Sequence, residues 1–197
     1  MHRILFVLFL SLMSLSACKS PPPPPDVVNV TINDEKLSLM HNWNLRGRLA
    51  FKSEQESFSA YVRWQQRGDA YTFTLTNLVG VTLLSLTVDE HEAVLEADGE
   101  TYRHNDAEAL IYEVSGWPIP VTAMKNWVKG TARSHDIVTR DDKGLLATVV
   151  VPLASGPWHV NYQQYTQESG IVLPRMMTIS QSENLSIRLK VNQWEVL

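Results

Sequence analysis

Alternation of apolar and polar residues at every second position predicts that most of the chain forms β-strands. The clearest case is residues 71–76, in which Tyr, Phe and Leu alternate with three threonines. A second alternating run covers residues 84–88, and Asn77 and Gly80, between the two runs, are residues typical of turns. The pattern therefore predicts a β-hairpin whose tip lies at residues 77–80.

Eight further segments alternate in the same way or flank a strong turn signal. They are residues 43–51, 58–64, 92–96, 101–104, 145–151, 158–162, 176–180 and 185–194. Short strands at hairpin spacing, about ten or eleven in all, are typical of an antiparallel barrel or sandwich. The sequence shows no internal repeat, and we expect one mainly β domain with a helical insert.

The insert consists of two amphipathic helices. Residues 107–114 carry apolar side chains at helical spacing, Asn105 followed by Glu108 resembles a capping box, and Gly116 is placed to end the helix. A second helix is predicted at residues 121–129. Both helices must bury an apolar stripe, and we expect them to cover one mouth of the curved sheet as a lid.

The hairpin tip is unusual because Leu78 and Val79 occupy a place where polar residues are the norm. One interpretation is that the tip folds back onto the protein's own core. The other is that it protrudes and contacts lipid or a hydrophobic client.

The N-terminus reads as a lipoprotein export signal rather than as part of the fold. A positive end and an apolar run fill residues 1–17, and Leu15-Ser16-Ala17-Cys18 resembles the lipobox, after which Cys18 is acylated. The alternative is an ordinary signal peptide with an incidental cysteine. Cys18 is the only cysteine of the chain, so a lipidated mature protein has no disulfide.

A tether follows the lipid-attachment site. Residues 18–33 include the uninterrupted proline run 21–25, which favours an extended polyproline II spacer. Lys19 stands where inner-membrane lipoproteins commonly have Asp, which indicates sorting to the outer membrane. The domain itself is expected at residues 34–197, beginning with a short helix near residues 34–42.

No reacting constellation is present in the sequence. The six histidines are scattered, no nucleophile elbow or phosphate loop occurs, and Asp141-Asp142 fits a charged turn. A net charge of −4 and a pI near 5.8 argue against a nucleic-acid partner. We therefore expect no enzyme activity, no metal and no cofactor.

Several stretches, taken together and in order, make the chain resemble the LolB family of outer-membrane lipoproteins. They are the lipobox, residues 43–51 with Arg46-Gly47, residues 61–66, residues 75–80, Asp106-Ala107-Glu108, residues 116–120 and Asn192-Gln193-Trp194. The resemblance implies an unclosed antiparallel β-barrel of about eleven strands, covered by a helical lid around an apolar cavity.

The resemblance also implies a function without covalent chemistry. The protein would receive lipoproteins from the periplasmic carrier LolA and insert them into the outer membrane, to whose periplasmic face Cys18 anchors it. Its partners would be the carrier, the acyl chains of client lipoproteins and outer-membrane lipid, and we expect a monomer. Alternatives are a carrier of free lipid and a non-catalytic structural lipoprotein of the envelope.

Two sets of site residues follow. The family's protruding leucine lies in Asn-Pro-Leu-Gly, which corresponds to Asn77-Leu78-Val79-Gly80, so Val79, together with Leu78, is the expected membrane-insertion tip. From the apolar faces of the predicted elements, the expected acyl-chain cavity is lined by Leu49, Phe58, Phe73, Leu86, Ile111 and Trp127.

Overall fold

Eleven antiparallel strands form one continuous sheet in the computed structural model, which describes residues 22–197. The strands are β1 (Asn42–Lys52), β2 (Ser57–Arg67), β3 (Ala70–Thr76), β4 (Thr82–Val88), β5 (Ala93–Ala97), β6 (Glu100–His104), β7 (Ile137–Arg140), β8 (Leu146–Leu153), β9 (Gly156–Glu168), β10 (Ile171–Ser182) and β11 (Leu185–Val196). The helices are α1 (Val30–Leu39), α2 (Ala107–Ser115) and α3 (Val121–Trp127).

The strand order is β6-β5-β4-β3-β2-β1-β11-β10-β9-β8-β7, so the first and last strands of the sequence meet at the centre of the sheet. Strands β6 and β7 are the two edges and do not pair with each other. The predicted fold class, an unclosed antiparallel barrel of about eleven strands with helices, is confirmed. Strand β7 was not predicted, because all four of its residues are exposed and show no alternation.

One face of the sheet is apolar and buried, and we call it the inner face. Alternate residues of the central strands point into it, which places three tryptophans side by side. The ring of Trp43 lies 5.5 Å from that of Trp64 and 5.3 Å from that of Trp194. These rings join the two halves of the sheet through one aromatic cluster.

Helix α1 begins earlier than predicted and belongs to the folded domain. Asn29 caps its first turn by accepting a backbone N–H hydrogen bond of 3.2 Å. The buried side chain of Asn33 accepts from the backbone N–H of Val172 at 2.8 Å and donates to the Val172 carbonyl at 3.1 Å. Residues 30–33, predicted as part of the tether, are therefore fixed to the sheet.

Helix α2 ends as predicted, and its N-cap lies one residue later than the predicted capping box places it. Gly116 terminates it in the left-handed conformation, with φ at 75°. The N-cap is Asp106 rather than Asn105, and its carboxylate accepts from the backbone N–H groups of Glu108 at 2.8 Å and Ala109 at 3.0 Å. A carboxylate is a strong N-cap because it also interacts favourably with the positive end of the helix dipole.

The central pairing of β1 with β11 depends on a glycine. The register shifts between Arg46 and Gly47, and a Cβ atom at Gly47 would overlap the backbone carbonyl of Lys190. We expect Gly47→Ala to lower the free energy of unfolding by roughly 1–3 kcal/mol, because backbone rather than a side chain must move. Ser59, which is exposed on the adjacent strand β2, provides the control.

The measurement is the midpoint of urea unfolding, followed by circular dichroism. Ser59→Ala should stay within about 0.5 kcal/mol of the unchanged protein, as is usual for exposed positions. If the Gly47→Ala and Ser59→Ala variants have equal midpoints, the pairing of β1 with β11 tolerates a side chain at position 47.

Candidate apolar cavity and exposed apolar tip

An apolar cavity of about 100 Å³ lies between the helices and the N-terminal half of the sheet. Fourteen apolar side chains and one serine line it: Leu49, Phe51, Phe58, Trp64, Phe73, Leu75, Leu84, Leu86, Ile111, Ser115, Trp117, Ile119, Val121, Met124 and Ile187. These residues come from five strands, both inserted helices and the segment between the helices. The cavity is therefore assembled from parts of the chain that are far apart in sequence.

The floor of the cavity is set by cross-strand register. Phe73 pairs with Trp64 on β2 and with Leu86 on β4, so three side chains of three adjacent strands lie in one row. The rings of Trp64 and Phe73 meet edge to face at 5.4 Å. Such rows are stabilised by side-chain contact between neighbouring strands, and they make a continuous apolar surface.

A second part of the lining is aromatic and partly open. The rings of Phe51 and Phe58 stack at 5.2 Å, and Trp117 lies 4.2 Å from Phe51. Phe58 and Trp117 are only half-buried. Trp117 and Ile119 belong to the Gly-Trp-Pro-Ile-Pro segment that joins α2 to α3. This segment therefore contributes directly to the cavity wall.

Two polar side-chain groups on the lining form hydrogen bonds within the protein. The Ser115 hydroxyl donates to the carbonyl of Ile111 at 2.6 Å, and the indole N–H of Trp64 donates to the side-chain oxygen of Gln66 at 3.0 Å. Among residues 22–197, no charged side chain lines the cavity. It is therefore suited to a hydrocarbon ligand, since a polar ligand would lose its hydrogen bonds to water.

A neutral phenol lies beside this lining. The ring of Tyr71 is 5.7 Å from that of Trp64, and its hydroxyl is buried without a hydrogen-bond partner within residues 22–197. Burial raises the pKa of the Tyr71 hydroxyl well above its usual value, with a smaller contribution from the carboxylates of Glu108 and Asp106. The phenol therefore stays uncharged near the cavity.

Five of the six side chains expected to line a cavity are brought together in it, namely Leu49, Phe58, Phe73, Leu86 and Ile111. Trp127 does not line it. The ring of Trp127 packs 6.1 Å from that of Trp158, and its carbonyl accepts a hydrogen bond of 2.8 Å from the Tyr162 hydroxyl. Helix α3 contributes Val121 and Met124 instead, because Trp127 is at its C-terminal end, beyond the cavity.

Some lining residues were missed for different reasons. Trp64 lies on the same face of β2 as Phe58, so the same pattern that identified Phe58 could have found it. Trp117 and Ile119 lie in an irregular segment in which no periodicity assigns a face. Their role depends on where that segment crosses the sheet.

The turn between β3 and β4 presents a second apolar feature, the tip, formed by Leu78 and Val79. Their exposed fractions are 73 % and 84 %. The Asn77 side chain accepts from the backbone N–H groups of Val79 at 3.0 Å and Val81 at 2.9 Å, and Gly80 has a φ of 87°. Asn77 thus orders the turn without the proline found in the family's pattern, and both apolar side chains point away from the core.

The predicted lipid-attachment residue, Cys18, and the signal segment 1–17 lie outside the described residues. Within residues 22–197, no helix has both the length and the apolar character needed to cross a bilayer. The same part of the chain contains no group of three His, Cys, Asp or Glu side chains arranged to bind a metal ion.

The cavity predicts a sharp difference between two neighbouring residues of α2. Ile111 lines the cavity, whereas Tyr112 is 57 % exposed. We expect Ile111→Glu to reduce the affinity for a fluorescent fatty-acid probe by about tenfold or more, because a carboxylate would be buried among apolar side chains. Tyr112→Glu adds the same charge to the same helix and should leave affinity unchanged.

Probe affinity would be measured by fluorescence titration, with circular dichroism as the check that both variants are folded. Equal affinities for the two folded variants would show that the probe binds elsewhere.

Two solved structures share this architecture. A LolA superfamily protein from Nitrosomonas europaea aligns with a TM-score of 0.52 and 6 % identity, covering 87 % of this chain and 94 % of that one. A DUF1329 family protein from Desulfovibrio piger aligns with a TM-score of 0.55 and 5 % identity, covering 85 % of this chain and 90 % of the other. At such low identities the likeness shows the fold alone.

Sequence comparison is more specific. Residues 41–194 match the family model described as outer membrane lipoprotein LolB. The outer-membrane lipoprotein LolB of Shewanella woodyi is 35 % identical over 189 residues, which cover 95 % of this chain and 87 % of the relative. The LolB of Aeromonas hydrophila is 32 % identical over 186 residues, covering 94 % and 93 %. The chain therefore belongs to the LolB family of outer-membrane lipoproteins, which are localisation factors and not enzymes.

Proposed function

We propose that this protein receives lipoproteins from the periplasmic carrier LolA and inserts them into the outer membrane, on whose periplasmic face it is anchored through Cys18. The observation that carries the proposal is the cavity, whose lining is apolar apart from one internally hydrogen-bonded serine. Such a cavity accepts an acyl chain without breaking any hydrogen bond of the protein.

The energetics of lipoprotein transport require a cavity of this kind. Exposing a dozen methylenes of an acyl chain to water costs on the order of 10 kcal/mol, at about 0.8 kcal/mol each. An acyl chain therefore leaves one apolar environment only if another is available. We propose direct transfer from the carrier's cavity to this one and then to the bilayer, without a covalent step.

The cavity volume indicates that the helices must move when a client binds. A volume of about 100 Å³ is smaller than the roughly 300–1,000 Å³ of most ligand pockets. Helix α2 packs on β5 and on β6, which is an edge strand of the sheet, and Gly116 connects it to the segment bearing Trp117. We propose that α2 and this segment swing outward together and open the cavity.

The tip favours lipoprotein insertion over two alternatives. A structural lipoprotein would need neither a cavity nor an exposed apolar turn, and a carrier of free lipid would need only the cavity. Leu78 and Val79 remain highly exposed on an ordered turn, which suits an element that enters the bilayer. We propose that the tip brings the cavity to the membrane surface during release.

The role of the tip can be separated from folding and from acyl-chain binding. We expect Leu78→Glu combined with Val79→Glu to leave the fold and probe affinity unchanged, because neither side chain reaches the cavity. Insertion of a client lipoprotein into liposomes should fall by about tenfold or more, because carboxylates are costly in the hydrocarbon core.

Ile137 provides the matched control for this variant. It is an apolar residue with 67 % exposure on the edge strand β7, away from the tip. Ile137→Glu should insert clients at the unchanged rate. If the double variant is equally active in the liposome assay, the tip has no part in insertion.

The anchor can be tested through Cys18. We expect Cys18→Ala to give a folded protein that is not lipidated and still accepts clients from the carrier, because the buried core lies wholly within residues 37–194. Fractionation would follow its loss from the outer membrane, and circular dichroism its folding. An unfolded Cys18→Ala protein would give the anchor a structural role that this proposal does not include.

A further inference from the structure

The outer face of the three central strands is strongly basic. Seven cations alternate with the buried side chains on β1, β2 and β11, two of them, Lys52 and Arg67, at strand ends. The other five together we call the basic face: Arg46, Arg48, Arg63, Arg188 and Lys190. Strands β1 and β2 contain no acidic residue, and β11 contains only Glu195, which accepts a hydrogen bond from Asn44 near the end of the strand. This concentration stands out in a chain whose net charge is −4.

Cross-strand register makes the arrangement unfavourable for folding. Arg48 lies directly opposite Lys190, and Arg46 lies directly opposite Arg63. Like charges at directly opposed positions destabilise an antiparallel pair. The basic face therefore concentrates repulsion at the centre of the sheet, where neutral polar residues would avoid it.

Nothing within residues 22–197 neutralises these five cations. None of them forms an ion pair there. Arg48 donates to the Tyr61 hydroxyl at 3.2 Å and lies 5.1 Å from the centre of that ring, which orders the guanidinium without balancing its charge. An external anion would remove the repulsion that the fold leaves uncompensated.

The basic face is continuous with the tip. A surface groove of about 360 Å³ is lined by Arg48, Tyr61, Arg188 and Lys190, and Leu78 of the tip lines the same groove. The register explains this contact, because Tyr61 pairs with Thr76, the last residue of β3 before the turn. Cationic and apolar groups therefore meet on one surface.

We propose that the basic face is a membrane-contact surface that binds the phosphate groups of anionic lipid headgroups while the tip enters the hydrocarbon beneath them. Guanidinium groups match phosphate oxygens in a bidentate geometry, and cations beside an apolar wedge are typical of interfacial membrane binding. An acidic protein would match the charge but would leave Val79 in water. A bilayer surface satisfies both features at once.

This inference rests on the proposed function in one respect, namely that the tip meets the membrane. It adds the lipid class that is recognised and the orientation of the docked protein. With the basic face against the headgroups, the tethered domain would contact the membrane surface directly and not only through its lipid anchor. The hairpin β3–β4, which lines the cavity, would then be next to the bilayer.

The test uses the full lipidated protein in vesicles. Because Cys18 is the only cysteine and carries the lipid, Ser59→Cys on the exposed side of the groove can be labelled uniquely with a fluorophore. Vesicles of phosphatidylethanolamine and phosphatidylcholine, with or without phosphatidylglycerol, would contain lipids with a nitroxide quencher on the headgroup. A label introduced by Glu113→Cys, exposed on α2, reports the opposite side.

Phosphatidylglycerol should increase quenching at the Ser59→Cys label and not at the Glu113→Cys label, and added salt should reverse the increase.

Arg48→Gln with Lys190→Gln should reduce the ratio of docked to undocked protein by roughly fivefold for each cation removed. The double variant should remain folded, since it removes one repulsive pair. Arg103→Gln with Arg140→Gln, on the edge strands, changes the net charge equally and should leave quenching unchanged.

The proposal is overturned if quenching at the Ser59→Cys label does not depend on phosphatidylglycerol. It is also overturned if this quenching falls equally in both double variants. It would likewise be overturned by a basic-face variant that loses client uptake from the carrier in solution while its vesicle contact is unchanged, because the face would then dock an acidic protein. The two proposals can fail separately. If clients are never inserted but the Ser59→Cys label still docks on anionic vesicles, the lipid-contact surface stands and the insertion role fails.

Discussion

The open sheet imposes the constraint on which the rest of this structure depends. The sheet has one apolar inner face, and its edges β6 and β7 do not pair with each other, so the sheet does not bury that face by closing on itself. The three helices and the segment that joins α2 to α3 cover it instead. They cover it incompletely on the side of β1 to β4, and the apolar cavity is the space that remains.

The cavity, the tip and the basic face share the same few strands because a β-strand presents two faces and two ends. Phe73 and Leu86 of the β3–β4 hairpin form part of the cavity floor, and the turn of that hairpin carries Leu78 and Val79. Strands β1 and β2 line the cavity on one side and carry cations on the other. A movement of the hairpin would therefore change the shape of the cavity and the position of the tip together.

In the turn between β3 and β4, the polar residue Asn77 replaces the ordering effect of a proline. The family's pattern places a proline before its apolar tip residue, and this chain has Leu78 there. Asn77 compensates by accepting two backbone hydrogen bonds from within the turn, which restrict the turn without fixing a φ angle covalently. The apolar tip thereby gains a second large side chain, and Leu78 also reaches the groove of the basic face.

Local patterns in the sequence determined the elements and the faces of the central strands. Alternation identified both strands of the β3–β4 hairpin, Gly116 marked the end of α2, and five cavity residues came from the apolar faces alone. The same logic failed where the pattern was absent, as in the fully exposed β7. It also failed at α1, whose start depends on contacts of Asn33 with Val172.

Only the tertiary structure decided how the faces of separate elements combine into the cavity and the basic face. The pairing of β1 with β11 joins residues near the two ends of the chain, and it alone sets Arg48 opposite Lys190. The position of Trp127 beside Trp158 rather than in the cavity depends on where α3 crosses the sheet. Periodicity assigns a side chain to one face of its own element, whereas cavities and charged surfaces arise from register and packing between elements distant in sequence.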